Sequence, residues 1–474
     1  MSLYSIVSLF SGAGGLDLGF VNTGKFRIVF ANDILVQATK TYSKNFGLRH
    51  EACPEKGVVD AVQNTVLACD VARVDFTSLE GVGVDVVIGG PPCQDFSIIR
   101  GPQNKRLGIE VQRGRLYSHF VRALIHLQPK MFVFENVPGL VSANKGLAYK
   151  TIIEDFQNLK VRWEEVKRVI NVKNSNRDVQ GYEILFSDTI DMTKLGLPQK
   201  RERLIIIGLR RDLADKLGAR ALWSEFRQLT ESIASKLRGV KSIFSRFPLT
   251  PIEVFEGDVL PNLQDMYREI MKEWEGVWEE VGTAEAREWK QRVWDKLSFD
   301  IIKDYLFLNK VKNYSSSELE EAFQKHKEIL KELGYLGMNV KDLQPSDGSN
   351  SIPDEAKSVI ERMMRIPPGE NYEFVKGTKW EVRGLMSNIY RRAHPLVPAP
   401  TVIAYGGGGT WGYHYERKRS MLTNRERARL QSFPDDFLFT GTWSEVRAQI
   451  GEAVPPIVAK RIAEIVANIL NMIS

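Results

Sequence analysis

The sequence predicts an α/β protein built on a doubly wound, mostly parallel β-sheet. Over the first 210 residues, short apolar and β-branched runs alternate with helical patterns, as in strands joined by crossover helices. Several runs are too apolar to alternate, which is typical of parallel strands covered on both faces. Glycine-rich and acidic segments follow the runs, at the strand ends where open sheets bind ligands. The predicted strands are Ser5–Phe10, Arg27–Ala31, Val84–Ile88, Met131–Phe134, Glu183–Phe186 and Leu204–Ile207.

Composition restricts the class of protein. The chain has 474 residues, of which 43% are hydrophobic and 26% charged, as in ordinary globular proteins rather than disordered or membrane-embedded ones. No apolar run reaches the length of a membrane span and the N-terminal residues lack a signal-peptide pattern, so we expect a soluble, cytoplasmic protein that does not bind membranes. The three cysteines are odd in number and show no CxxC spacing, which argues against a disulfide framework, and no structural metal site is expected. We expect Cys53 and Cys69 to be small buried apolar residues.

Charge is distributed unevenly along the chain. The net charge is +6, yet residues 212–342 contain 20 basic and 24 acidic residues. This acidic helical insert contains tryptophans whose spacing predicts a buried packing stripe, namely Trp274, Trp278, Trp289 and Trp294. A basic cluster follows, which on charge alone is either a solvated face or a surface for a polyanion. Its members are Arg383, Arg391, Arg392, Arg417, Lys418, Arg419, Arg425, Arg427 and Arg429.

A glycine-rich turn, residues 11–17 (SGAGGLD), follows the first predicted strand. Glycines let the backbone turn tightly and approach a ligand. Asp17, however, stands where the third glycine of a dinucleotide-binding fingerprint belongs, which argues against a pyrophosphate site. Asp33 after the second strand suits a ribose diol, and Asp70 suits an adenine amino group. For both carboxylates a helix N-cap is the alternative interpretation.

Reactive side chains follow the later strands. Cys93 lies in the segment GGPPCQDFS directly after the apolar run VDVVI, where a following helix N-terminus would favour its thiolate. Glu135 follows the next strand, so the two residues would supply a nucleophile and a proton donor for attack on an electron-poor ring. Arg201 and Arg203, at a spacing of two, would share one strand face and could steady a carboxylate, a ring carbonyl or a phosphate.

These segments resemble the motifs of DNA (cytosine-5) methyltransferases. FSGAGGLDLGF, GGPPCQDFS, ENV, QKRERLIIIG, LTNRERARLQSFPDDF and GEAVPP occur in the order and approximate spacing of that family. The resemblance implies a Rossmann-like domain that binds S-adenosylmethionine, with an inserted target-recognition region. It implies a catalytic domain at residues 1–209, a recognition region at 210–422 that contains the acidic helical insert, and a return to the catalytic domain at 423–474.

The resemblance also implies roles for individual residues. Cys93 would be the nucleophile, Glu135 the carboxylate that contacts N3 and the exocyclic amine of cytosine, and Arg201 and Arg203 an arginine pair near the ring. One departure is the last motif, where Glu452 replaces the usual asparagine and either disturbs the site or faces solvent. The implied cofactor-binding residues are Phe10, Gly12, Gly14, Asp33, Ile34, Asp70, Val71, Pro92, Ala453 and Val454.

Double-stranded DNA is the implied partner. A basic loop, residues 98–115, would close over the DNA, and base readout is predicted within residues 367–415. We hypothesise that the acidic helical insert faces away from the DNA or meets a partner, so that deleting much of it should spare sequence choice. The candidate DNA-binding residues are Gln94, Ser97, Arg106, Arg113, Arg383, Arg391 and Arg392.

The function that the resemblance implies is methyl transfer from S-adenosylmethionine to C5 of a flipped-out cytosine in a specific duplex sequence, through a covalent bond between Cys93 and C6. The layout is typical of a prokaryotic modification enzyme, a monomer paired functionally with a restriction endonuclease. Two alternatives stay open. One is a transfer RNA cytosine-5 methyltransferase that uses the same motifs, and the other is an inactive DNA-binding regulator, against which the intact Cys93 and Glu135 argue.

Overall fold

The computed structural model describes residues 3–92, 116–159, 179–220, 223–382, 389–406, 409–410 and 412–473. The chain forms two compact units. The first consists of Met1–Asp191, Glu202–Val240 and Val458–Ser474, and the second of Met192–Arg201 and Lys241–Ile457. Residues 423–457, which were predicted to return to the catalytic domain, therefore lie in the second unit. In the described part of the chain, no helix combines the length and apolar character that a membrane span requires.

An eight-stranded sheet forms the centre of the first unit, in the order β3-β5-β2-β1-β7-β8-β10-β9. Pairing is parallel from β3 to β8, while β10 runs antiparallel to both β8 and β9. Strands β4 and β6 form a separate parallel pair. The strands are β1 (Tyr4–Leu9), β2 (Phe26–Asp33), β3 (Arg49–Ala52), β4 (Val59–Asp60), β5 (Thr65–Ala68), β6 (Val74–Asp75), β7 (Val86–Gly89), β8 (Met131–Asn136), β9 (Tyr182–Asp191) and β10 (Glu202–Arg210).

The prediction of a doubly wound, mostly parallel sheet is confirmed, and each of the six predicted strands is present. The sequence did not indicate β3 and β5. The segment Thr65–Ala68 is apolar and fully buried, but a run of four residues is too short to separate from a helix fragment by periodicity. The paired strands β4 and β6 have two residues each, which gives no pattern at all.

Helices cover the sheet because their apolar faces pack on the strands. Helix α3 (Leu116–Leu127) is buried along almost its entire length. Gly19 of α1 (Gly15–Val21) lies so close to Ala459 of α17 (Pro456–Ile473) that a Cβ atom at Gly19 would be 2.3 Å from the Ala459 Cβ. The residues 458–473 of α17 thus pack directly against the first helix of the unit. The helices here are α1 (Gly15–Val21), α2 (Val36–Phe46), α3 (Leu116–Leu127), α4 (Gly139–Ser142), α5 (Leu147–Gln157), α6 (Arg211–Arg220), α7 (Trp223–Leu237) and α17 (Pro456–Ile473).

The second unit is largely helical and contains the predicted tryptophan stripe. All four tryptophans are buried, and the Trp278, Trp289 and Trp294 rings pack together with centroids 5.1 to 6.4 Å apart, so the prediction of a packing role is confirmed. The α-helices are α8 (Pro251–Glu256), α9 (Gln264–Lys272), α10 (Val277–Val281), α11 (Ala284–Arg292), α12 (Ile301–Leu308), α13 (Ser316–Glu332), α14 (Lys357–Met363), α15 (Asn424–Leu430) and α16 (Trp443–Glu452).

The acidic helical insert pairs with part of the basic cluster in this unit. Arg417 donates to the Glu273 carbonyl at 2.9 Å and forms an ion pair with Glu280. The Trp274 indole donates to the Tyr415 carbonyl at 3.1 Å. Deleting this part of the insert would therefore remove contact partners of Tyr415 and Arg417. That the insert faces away from DNA and that its deletion spares sequence choice stay predictions.

A disulfide joins Cys53 and Cys69, with an S–S distance of 2.04 Å and a Cα–Cα distance of 4.7 Å. The expectation of two free, buried thiols is wrong. Each cysteine comes one residue after a strand of the parallel pair β3 and β5, in which Ala52 lies opposite Ala68. The sequence separation of 16 residues does not show this juxtaposition, because it depends on a strand pairing that the sequence did not predict.

Replacing Cys53 and Cys69 together by alanine is expected to lower the free energy of unfolding by about 3 kcal/mol, because the disulfide restricts a loop of this length in the unfolded chain. Chemical denaturation under non-reducing conditions measures the change. Alkylation of the unfolded wild-type protein should label one thiol per chain before reduction and three afterwards. Three labelled thiols before reduction would contradict the disulfide.

Candidate active site

The candidate site lies at the carboxyl edge of the parallel part of the sheet. Strand β1 is flanked by β2 on one side and β7 on the other, so the strand order reverses at β1. In doubly wound sheets the crevice at such a switch point is where ligands bind. The glycine-rich turn, Asp33, Asp70, Gly90 and Glu135 follow or end the strands β1, β2, β5, β7 and β8 at this edge.

Asp33 fixes the glycine-rich turn. Its Oδ2 accepts a hydrogen bond from the Gly12 amide at 2.8 Å, and its Oδ1 accepts one from the Leu35 amide at 2.9 Å. Burial raises the pKa of the Asp33 carboxyl, although these amides act in the opposite direction. Gly12 and Gly14 have φ values of +54° and +92°, and a Cβ at Gly14 would lie 2.4 Å from the Phe46 ring, so glycine is required there.

An apolar surface lies beside Asp33. Ile34, Leu35 and Val36 are consecutive and are 64%, 40% and 47% exposed. Isolated exposed apolar residues are common, but three in a row next to a polar turn form a surface that suits a flat apolar ring. Ile34, which the resemblance assigns to the cofactor, is the most exposed of the three.

Asp70 caps the short 3-10 turn Val71–Arg73, and its Oδ1 accepts a hydrogen bond from the Ala72 amide at 2.9 Å. The N-cap interpretation of Asp70 is thus confirmed. The residue is exposed, so its cap role leaves the side chain accessible to a ligand. Val71 is buried beneath it, while Phe10, with a φ of +54°, is half-buried and Pro92 is exposed.

Glu135 and Arg203 form the central ion pair of the site. The Arg203 Nε lies 2.9 Å from the Glu135 Oε1, with side chains 17% and 11% exposed. The pair exists because β10 runs antiparallel to β8, with Ile205 opposite Glu135. The planar guanidinium group of arginine can donate two hydrogen bonds to one carboxylate, and arginine is therefore suited to orienting that group.

The turn that precedes Cys93 is tied to the same strand end. The Asn136 Nδ2 donates to the Pro91 carbonyl at 3.0 Å, and a Cβ at Gly90 would lie 2.6 Å from the Glu135 Oε2. The sequence predicts no role for Gly90 or Asn136, although Gly90 lies in the same motif as Cys93 and Asn136 directly follows Glu135. Cys93 itself lies outside the described residues, as do Gln94, Ser97, the basic loop with Arg106 and Arg113, and Arg383.

Arg201 and Arg203 do not act as a pair on one face, contrary to the prediction. Arg201 belongs to the second unit, is 1% exposed, and donates to the carbonyls of Val402 at 3.3 Å, Gly451 at 3.0 Å and Ala453 at 2.9 Å. The reason is that Arg201 precedes β10 rather than lying within it. Ala453 and Val454 are buried beside these bonds, whereas Glu452 is exposed.

Arg392 was predicted to contact DNA, and this prediction is wrong for the arrangement described here. The side chain is fully buried and its guanidinium donates to five backbone carbonyls, those of Met363, Ile366, His414, Glu416 and Arg419. It also lies 4.8 Å from the Trp274 ring centroid. Burial lowers the pKa of Arg392 to about 9, so the group keeps its charge at neutral pH.

Other members of the basic cluster are also internal. Arg425, Arg427 and Arg429 are at most 1% exposed, and Arg425 and Arg429 pair with Asp347 and Asp435 at 3.2 and 2.6 Å. Both the solvated-face interpretation and the polyanion interpretation are therefore wrong for these residues. Arg391 is half-buried and stays a candidate. Among the described residues, no group of three or more His, Cys, Asp or Glu side chains could hold a metal ion.

Comparisons with known proteins decide the family. The model of the C-5 cytosine-specific DNA methylase family matches residues 4–468. The chain belongs to this family. It is 60% identical over its full length to the DNA (cytosine-5-)-methyltransferase M.ApeKI of Aeropyrum pernix, with all of both chains covered. It is also 31% identical to the type II methyltransferase M.NgoFVII of Neisseria gonorrhoeae, over 99% of this chain and 87% of that protein.

The fold agrees with a solved structure. A DNA modification methyltransferase encoded within an Escherichia coli prophage superposes with a TM-score of 0.54 at 22% identity, over 99% of this chain and 100% of that one. The protein is thus a DNA cytosine-5 methyltransferase whose relatives include type II modification enzymes, and its Rossmann-like sheet is that of the family.

Replacing Gly90 by alanine is expected to lower the methyl-transfer rate of this methyltransferase by about a hundredfold, since the added methyl group would displace the Glu135 carboxylate. Gly139→Ala is the matched control, because its Cβ would meet no atom closer than 4.0 Å at the same strand end. Single-turnover rates with saturating DNA measure the effect. Equal rates for both variants would show that the Glu135 position is not critical.

Replacing Arg392 by lysine is expected to lower the free energy of unfolding by about 3 kcal/mol or more, because an ammonium group cannot satisfy the carbonyls around the guanidinium. The neighbouring substitution Arg391→Lys is expected to change it by less than about 0.5 kcal/mol. Denaturant titration of the two variants measures the difference. If Arg392→Lys were as stable as the wild type while DNA affinity fell, Arg392 would be a DNA contact after all.

Proposed function

We propose that this methyltransferase transfers a methyl group from S-adenosylmethionine to C5 of a cytosine that has swung out of double-stranded DNA, through a covalent bond between Cys93 Sγ and C6. The observation that carries the proposal is the Arg203–Glu135 ion pair at 2.9 Å, together with the Asn136 bond that ties the Pro91 carbonyl to the same strand end. A positioned carboxyl group beside the turn that leads to a cysteine suits covalent attack on a pyrimidine ring.

The residues at the carboxyl edge fit S-adenosylmethionine as the methyl donor. Asp33 ends a strand at the switch point, where the ribose hydroxyls of a nucleoside are commonly bound, and the exposed Ile34, Leu35 and Val36 offer an apolar surface for adenine. The left-handed Gly12 and Gly14 allow close approach to the methionine portion. When bound, the sulfonium group supplies an electrophilic methyl carbon.

The chemistry assigns a distinct task to each side chain. The Cys93 thiolate adds to C6 while the Glu135 carboxyl group, which has to carry a proton at this point, delivers it to N3, so the ring becomes an enamine. C5 then takes the methyl carbon, and the electron pair of the broken C–S bond stays on the donor's sulfur, which leaves as a thioether. Loss of the C5 proton and return of the N3 proton to Glu135 allow the Cys93 sulfur to leave with its bonding electrons and restore the aromatic ring as 5-methylcytosine. Arg203 holds the Glu135 carboxyl group through Oε1, and we infer that Arg201 acts indirectly, by positioning the Gly451 and Ala453 backbone.

Fewer residues are proposed to bind DNA than the sequence predicted. The proposed DNA-binding residues are Gln94, Ser97, Arg106, Arg113, Arg383 and Arg391. Arg392 is no longer proposed to bind DNA, because its buried guanidinium group donates to backbone carbonyls. Since relatives at 60% and 31% identity are a DNA cytosine-5 methyltransferase and a type II methyltransferase, we further propose that the enzyme protects a specific sequence against a matching restriction endonuclease.

Tritiated S-adenosylmethionine tests the proposal when incubated with the enzyme and either duplex DNA or transfer RNA. The wild type should label cytosines of the duplex, and Cys93→Ser should be slower by about a thousandfold or more because the nucleophile is lost. The Cys53→Ala, Cys69→Ala double variant is the control for cysteine replacement elsewhere and should retain activity.

Covalent trapping gives an independent readout. A duplex with 5-fluorocytosine at the target position should form a denaturant-resistant adduct with the wild type and none with Cys93→Ser, because fluorine blocks the loss of the C5 substituent. Labelling of transfer RNA alone would replace the DNA proposal with an RNA one. An active Cys93→Ser variant would refute the covalent step.

A further inference from the structure

A buried arginine on α3, Arg122, supports the turn that Asp70 caps. Its residue exposure is 4%. The Arg122 Nη2 donates to the Val71 carbonyl at 2.7 Å, and the Nη1 donates to the Val74 carbonyl at 2.6 Å. These carbonyls belong to the first residue of the 3-10 turn Val71–Arg73 and to the residue that follows the turn. Arg122 therefore bonds the turn at its beginning and at its end.

The two bonds to the turn are the property for which an arginine is needed at this position. A charged side chain is rarely enclosed unless its polar atoms find partners. Burial lowers the pKa of Arg122 to about 10, whereas Asp75 and Asp70 act in the opposite direction, so the group keeps its charge at neutral pH. Because an apolar side chain could fill the same space at a lower desolvation cost, the bonds to the turn distinguish arginine here.

The turn determines where the Asp70 carboxylate points. Its Oδ1 accepts a hydrogen bond from the Ala72 amide at 2.9 Å, while its Oδ2 accepts none from the part of the chain that the structure describes. One residue earlier, the Cys69 amide donates to the Asp33 carbonyl at 2.9 Å. The segments that carry the carboxylates proposed for adenine and ribose are thus joined by a backbone bond, and the exposed Asp70 has one oxygen left for a ligand.

We propose that Arg122 is a positioning residue for adenine recognition, which holds both ends of the turn and so keeps the Asp70 Oδ2 directed at the exocyclic amino group of the cofactor. The inference rests on the proposed binding of S-adenosylmethionine and on the adenine role of Asp70. Arg122 is enclosed and acts only through Asp70. Since a hydrogen bond depends on direction, a loosened turn loses its selectivity for the amino group before it loses contact with the purine ring.

Calorimetric binding of two ligands to the full-length enzyme tests the proposal. One ligand is S-adenosylhomocysteine, and the other is its analogue with hydrogen in place of the adenine amino group. The measured quantity is the ratio of the analogue's Kd to the Kd of S-adenosylhomocysteine. The wild type should give a ratio of about ten or more, because the analogue cannot donate to the Asp70 carboxylate. Arg122→Lys should lower this ratio by about threefold to tenfold, because an ammonium group cannot reproduce the two bonds of the planar guanidinium.

A second substitution shows whether the effect of Arg122 passes through Asp70. Asp70→Asn keeps an oxygen for the Ala72 amide and places an NH₂ group where the adenine amino group needs an acceptor, so it should lower the ratio at least as far. Adding Arg122→Lys to Asp70→Asn should then change the ratio by less than about twofold.

Arg392→Lys is the matched control for the loss of a buried guanidinium. It also removes bonds to backbone carbonyls, but in the second unit, and its ratio should equal that of the wild type. If Arg122→Lys does not fold, Arg122→Met takes its place with the same expected fall, because methionine fills the space without bonding the turn.

The outcomes separate this inference from the function on which it rests. Weaker binding of both ligands to Arg122→Lys at an unchanged ratio would mean a purely structural role and would overturn the inference alone. A further fall when Arg122→Lys is added to Asp70→Asn would overturn it as well. A wild-type ratio near one would overturn the adenine role of Asp70 together with the inference, and failure of the wild type to bind S-adenosylhomocysteine would overturn the proposed cofactor.

Discussion

The antiparallel insertion of β10 beside β8 is the constraint on which the candidate site depends. The residues on either side of Glu135 in the chain are uncharged. Without β10, Glu135 would therefore lack the ion-pair partner that it has at the end of its strand. Because β10 enters from the opposite direction, Arg203 arrives beside Glu135 with its Nε 2.9 Å from the carboxylate. The two residues are 68 positions apart in the chain, and strand pairing alone brings them together. The parallel strands place the glycine-rich turn, Asp33, Asp70 and Gly90 at the same edge.

Much of this arrangement follows from local sequence. Apolar runs identified six strands, among them β1, β2, β7, β8 and β10 at the site, and placed Asp33 and Glu135 at strand ends, where the structure has them. Strand β5, which ends two residues before Asp70, was not indicated. What the sequence could not show depends on pairing between distant segments. The Cys53–Cys69 disulfide needs the register of β3 with β5, and the different surroundings of Arg201 and Arg203 depend on where β10 begins. Residues two apart share a face only if both belong to the strand.

Charge patterns were the least informative signal, because burial decides what a basic residue does. Arg392, Arg425, Arg427 and Arg429 look in sequence like a surface for a polyanion, yet each is at most 1% exposed. Their guanidinium groups bind carbonyls and carboxylates inside the second unit. The acidic helical insert also pairs with Arg417 of the basic cluster, through the Glu273 carbonyl and the Glu280 carboxylate. Part of its negative charge is thus balanced within the unit.

The close contact between Gly19 and Ala459 joins α1, the first helix of the first unit, to α17, the last. During synthesis the sheet can begin to form early, but this contact has to wait until residues 458–473 have left the ribosome. Until then, the surface of α1 around Gly19 lacks this packing partner. A chain that ends before residue 458 would therefore carry all six motif segments and lack the helix that packs against α1.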